Sequence, residues 1–69
     1  MTQERHTFRS SRVSRAVYDT EGFTLLVTFP DGNHFRYFEV PRWVWQDFIT
    51  APSAGRFLNE VLAKNYRGS

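Results

Sequence analysis

The chain has 69 residues, nine Lys and Arg against seven Asp and Glu, a net charge of +2 and no cysteine. That length bounds it to one small domain, and the missing thiols exclude a disulfide staple and a thiolate metal site. The two histidines, His6 and His34, stand in no metal-ligand spacing, so neither a metal nor a cofactor is expected.

A core must then come from rings. Two Trp, three Tyr and seven Phe make up 17% of the residues, and each ring buries roughly 150–250 Å². Apolar runs extend for only a few residues, too short to span a membrane. No charged, then apolar, then small-residue series opens the sequence as in a signal peptide, so a cytoplasmic setting is the expectation. The charge is small but unevenly spread, with Arg5, Arg9, Arg12 and Arg15 set against Glu4 alone at the N-terminal end. Every Lys or Arg but Lys64 is arginine, the side chain that forks onto phosphates and stacks on rings.

Residues 1–9 are polar and without periodicity, which predicts a flexible basic arm ahead of one folded unit over 10–67. RVSRAVY (12–18) reads as a first strand and DTEG as a turn. FTLLVTF (23–29) alternates, with Phe23, Leu25, Val27 and Phe29 on one face and Thr24, Leu26 and Thr28 on the other. PDGN signals a hairpin that returns as HFRYFEV (34–40). Pro41 then opens a helix whose apolar stripe is Val44, Trp45, Phe48 and Ile49. Ala51-Pro52 closes it, Ser53 caps the next, and Phe57, Leu58, Val61 and Leu62 form the second stripe, with Tyr66 near its end. Arg56, Glu60 and Lys64 line that helix's flank as a solvated row of alternating charge.

The order β-β-β-α-α predicts an α+β, two-layer fold: a three-stranded antiparallel sheet with two short helices packed on one face and the other face open. Register decides what the third strand offers. In one register Phe35 and Tyr37 join the Leu25/Val27/Phe29 face, and His34, Arg36 and Phe38 point out with Leu26 and Thr28. A three-residue Asp31-Gly32-Asn33 loop with Asn33 left-handed allows it. The other register, favoured by a two-residue Asp31-Gly32 turn, buries His34 and Arg36. An unpaired buried guanidinium costs several kcal/mol, the larger effect, so the first register is preferred.

The ordered set Ser11-x-Val13, Tyr18-Asp19, Leu25-x-Val27-x-Phe29, Gly32, Phe35-x-Tyr37, Val40-Pro41, Ala51-x-Ser53-x-Gly55-Arg56-Phe57-x-Asn59 and Tyr66 resembles the KTSC domain. That family is named after a C-terminal segment of some lysyl-tRNA synthetases and also occurs as free-standing bacterial or phage proteins. The likeness covers about residues 10–66 and rests on the ordered set rather than on any one motif. The chain departs from the family's Tyr-x-Tyr signature at Phe35, which keeps a ring for packing or stacking and loses a hydroxyl. It also has Trp43 where the family tends to be polar. RNA binding is what the resemblance implies, through the synthetase context and by analogy.

The residues exclude most enzyme chemistry. There is no phosphate-binding glycine loop, no metal quartet and no nucleophile elbow, and Asp19, Glu21 and Asp31 sit in turns where capping explains them. A binding module is expected instead. RNA or single-stranded nucleic acid would meet Arg36, Phe38 and His34 on the open face, with Arg12 and Arg15 at phosphates. The face of the first strand that carries Arg12 and Arg15 is left open, because Val13 and Val17 share the parity of Arg15 and a bulge can intervene. The alternative is a protein partner held by Trp43 and the sheet face; Trp43 either stands exposed as an anchor or folds over a neighbouring loop. Edge strands leave monomer and homodimer both open.

Overall fold

The computed structural model describes residues 2–68, so Met1 of the expected arm lies outside the described residues. Four strands, β1 (Gln3–Thr7), β2 (Arg15–Asp19), β3 (Thr24–Thr28) and β4 (His34–Tyr37), form an antiparallel meander in the order β1-β2-β3-β4. Helix α1 (Arg42–Thr50) follows, then α2, which starts at Ala54–Phe57, continues through a π-helical turn at Leu58–Leu62 and ends at Ala63–Asn65. The two-layer α+β architecture holds. Among the described residues no helix is long and apolar enough to cross a membrane.

The expected three-stranded sheet is corrected to four, because a strand at 3–7 takes the place of the mobile arm. Its inward residues are polar, so no apolar alternation announced it, but both find partners. Glu4 accepts 2.8 Å hydrogen bonds from Arg42 Nη2 and from the indole Nε1 of buried Trp45. His6 packs edge-on against Phe8 at 4.7 Å, and Phe8 in turn lies 4.7 Å from Phe48. Removing the Glu4 carboxylate would leave a buried indole N–H without an acceptor, at a cost of about 1–3 kcal/mol. Glu4→Ala is therefore expected to lower the thermal midpoint by roughly 4–8 °C per kcal/mol lost. Glu4→Gln, which keeps an amide oxygen for Trp45, is expected to lose clearly less in the same melting experiment.

On the helix side of the sheet, register aligns Glu4, Tyr18, Leu25 and Tyr37 in one cross-strand row and His6, Ala16, Val27 and Phe35 in the next. The helices cover these rows with Val44, Trp45, Phe48, Leu58 and Leu62. Tyr18 stacks on Trp45 at 5.5 Å and donates its hydroxyl to Val40 O at 2.7 Å. That bond matters because a buried phenol without an acceptor is costly. Burial holds the Tyr18 and Tyr37 hydroxyls above their ordinary pKa. The apolar stripe of α1 and the Ser53 cap are borne out: Val44, Trp45 and Phe48 are buried, Ile49 is half-buried, and Ser53 Oγ accepts the Arg56 N–H as N-cap.

Three local expectations are corrected. β2 begins at Arg15 rather than Arg12, and strict alternation breaks between buried Val13 and exposed Arg15. Phe23 does not join the core face. It precedes β3 at φ +57°, half-exposed, and its carbonyl accepts from Val40 N–H. In the β3–β4 hairpin the left-handed residue is Gly32 (φ +93°), not Asn33. The Gly32 N–H returns to Phe29 O and the Phe29 N–H bonds Asn33 O, so the three-residue loop is Pro30-Asp31-Gly32. Glycine pays no Cβ penalty there, and this loop sets the register that puts Arg36 in water.

Candidate functional site

The face of the sheet away from the helices carries three cross-strand rows. Pairing Arg5 with Val17, Val17 with Leu26 and Leu26 with Arg36 makes a middle row with an arginine at each end and two aliphatic side chains between. Below it run Thr7, Arg15, Thr28 and His34. Above it run Gln3, Asp19 and Thr24, and Phe38 continues the alternation just past β4. Adjacent strands stand about 4.8 Å apart, so the two arginines of the middle row span roughly 14 Å between their backbones.

Arg5, Arg15, His34 and Arg36 are exposed, and none of them has an ion-pair partner among the described residues. The ion pairs of Arg42 with Glu4 and of Arg56 with Glu60 on α2 lie elsewhere. Val17 and Leu26 are half-buried beneath the flanking long side chains, an arrangement in which guanidinium stems cover apolar surface. The face is shallowly dished. One depression of about 760 Å³ is bordered by Arg5, Thr7, Arg15, Val17, Leu26 and His34. A second of about 310 Å³ is bordered by Gln3, Val17, Asp19, Leu26, Arg36 and Phe38.

Asp19 is the one carboxylate of these rows. Its Oδ1 accepts the N–H groups of Glu21 at 2.9 Å and Gly22 at 3.2 Å, which hold its pKa below the ordinary 3.8. A group whose folded pKa is depressed contributes stability above the unfolded value and loses it as pH falls through the folded one. Melting curves taken from pH 5 downward are therefore expected to decline more gently below about pH 4 for Asp19→Asn than for the parent chain.

The sequence-predicted residues divide between two surfaces. His34, Arg36, Phe38 and Arg15 share the open face, with Phe38 41% exposed. Arg12 does not join them. It lies in the β1–β2 connection with its stem over α2, where a Cβ on Gly55 would stand 2.6 Å from Arg12 Cδ. Arg12 precedes β2 and has the parity of the inward residues Ala16 and Tyr18, opposite to Arg15 and Val17 on the open face. Trp43 is 64% exposed on α1, in the other layer, so it is separate from the sheet face.

Sequence reasoning placed Arg5 in a flexible basic arm rather than in the sheet, where it completes the middle row at the end opposite Arg36. The available signal was the alternation Glu4, His6, Phe8 against Gln3, Arg5, Thr7, which is legible only once Glu4 and His6 are known to have inward partners.

Comparison with known proteins fits this geometry. The model of the KTSC domain matches residues 9–66. A protein of Tsukamurella paurometabola is 36% identical over 58 residues, covering 84% of this chain and 87% of its own. The crystal structure of a KTSC domain protein from Yersinia pestis superposes with a TM-score of 0.90 at 28% identity, covering 99% of this chain and 96% of the other. With the family model spanning every element of the fold after β1, the chain belongs to the KTSC domain family.

Proposed function

We propose that this chain is a non-catalytic, cytoplasmic binding module that takes single-stranded RNA on its open sheet face. One observation carries the reading: three guanidiniums and an imidazole, unpaired among the described residues, surround an aliphatic strip with a half-exposed phenylalanine at its corner. A polyanion neutralises that charge, and an unstacked base has the flat face that Phe38 can stack upon. A duplex hides its bases, which favours the single strand.

The test is anisotropy of a dye-labelled RNA of about eight nucleotides titrated with the protein across a salt series. Three to four phosphate contacts predict a slope of log K against log salt of roughly −2 to −3 for a single strand. Saturable binding with that slope supports the reading, and no saturable binding at low salt ends it. A dye is needed because both tryptophans lie off the face: Trp45 is buried among the helices and Trp43 is on α1.

A protein partner is the second reading, favoured by the exposure of Trp43 on a surface with no part in the RNA site. It has the opposite signature, since Trp43→Ala would abolish capture of the partner and leave RNA affinity unchanged.

A further inference from the structure

The open face is not uniformly basic, and its two depressions differ in what they can hold. The larger is bordered by Arg5, Arg15 and His34 with threonine hydroxyls between them, all suited to phosphate oxygens. The smaller has Phe38 and Arg36 at one side and the Asp19 carboxylate and Gln3 amide toward the other, with Val17 and Leu26 as the ridge it shares with the first. A carboxylate repels phosphate and accepts from N–H donors, so, while Arg36 can meet a phosphate at the β4 side, the Asp19 side of the smaller depression is ill-suited to the backbone and suited to a base edge. At about 310 Å³ it is also of a size for one heterocycle.

Given the RNA reading of this face, on which the inference rests, we infer that the backbone follows Arg15, Arg5 and Arg36 while one base stacks on Phe38 and turns its exocyclic amino group to Asp19. Asp19 Oδ1 is already occupied by two turn N–H groups, so Oδ2 is the atom left to accept from the base. Cytosine offers an amino group at the position where uracil offers a carbonyl oxygen. The two rings stack alike, so only the polar edge separates them. Facing a carboxylate, the amino group gains a charge-assisted hydrogen bond and the carbonyl meets like partial charge. The site therefore selects an amino-bearing base over uracil, with Asp19 as the specificity-determining residue and Phe38 as the stacking platform.

The experiment measures Kd for dye-labelled oligocytidylate and oligouridylate of about eight nucleotides with the parent chain, Asp19→Asn and Phe38→Ala, after melting curves show each variant folded. Asparagine keeps the oxygen that receives the turn N–H groups and removes the charge that excludes uracil. The expected result is about tenfold tighter binding of oligocytidylate by the parent chain. That preference should fall to within about twofold in Asp19→Asn, and Phe38→Ala should weaken oligocytidylate about tenfold. Equal binding of the two oligonucleotides by the parent, or a preference that survives in Asp19→Asn, overturns the role of Asp19 and leaves RNA binding standing. A Phe38→Ala protein with unaltered affinity overturns the stacking platform. Failure of every oligonucleotide to bind at low salt overturns both this inference and the reading beneath it.

Discussion

Replacing Arg5, Arg15 and Arg36 together by alanine is expected to raise the Kd for single-stranded RNA on the order of 100-fold near physiological salt and to flatten its salt dependence. The slope should fall in magnitude by about 2, since each phosphate contact on a single strand contributes roughly 0.7. The three side chains stand on β1, β2 and β4, so no single strand supplies the site and their effects add through a common ligand rather than through one another. Melting curves accompany the binding data, because the stems also cover Val17 and Leu26 and their loss uncovers part of that strip. Arg12→Ala is the internal control, because its stem lies over Gly55 in the helix layer and its loss should leave the slope unaltered. An unchanged slope in the triple variant would place the RNA elsewhere on the molecule.

Phe48→Ala is expected to cost about 3–5 kcal/mol, the range for emptying a fully buried aromatic site. A chain of this length has a total stability of only about 3–10 kcal/mol, so the variant should lose tens of degrees in thermal midpoint or fail to melt cooperatively. Phe48 is 0% exposed and holds three rings together: Phe8 at 4.7 Å, Phe57 at 5.6 Å and Trp45 at 6.4 Å. Phe8 ties the segment after β1 to the helices, so the cavity would also loosen the strand that presents Arg5. Trp43→Ala, five residues earlier on the same helix, is expected to shift the midpoint by less than about 4 °C, because that ring is 64% exposed. Differential scanning calorimetry of the pair distinguishes them directly. A large loss from Trp43→Ala would mean that its ring is part of the core and would remove the anchor of the protein-partner reading.

What the amino-acid sequence determined by itself was whatever followed from local periodicity and from strong energetic preferences. The alternation Leu25-x-Val27 fixed the face of β3, the spacing of Val44, Trp45 and Phe48 fixed the buried side of α1, and the desolvation cost of Arg36 selected the hairpin register. The ordered motif set also marked the family. Tertiary structure alone decided the rest, because the rest depends on partners distant in the chain. β1 is a strand because Glu4 meets Trp45 and Arg42, about forty residues away, and a polar segment carries no apolar pattern to reveal it. Arg5 shares a row with Arg36 only through that pairing, and Arg12 lies off the face with its stem over Gly55 of α2. Apolar burial writes itself into spacing, whereas a polar group's place is set by whichever partner the fold brings to it.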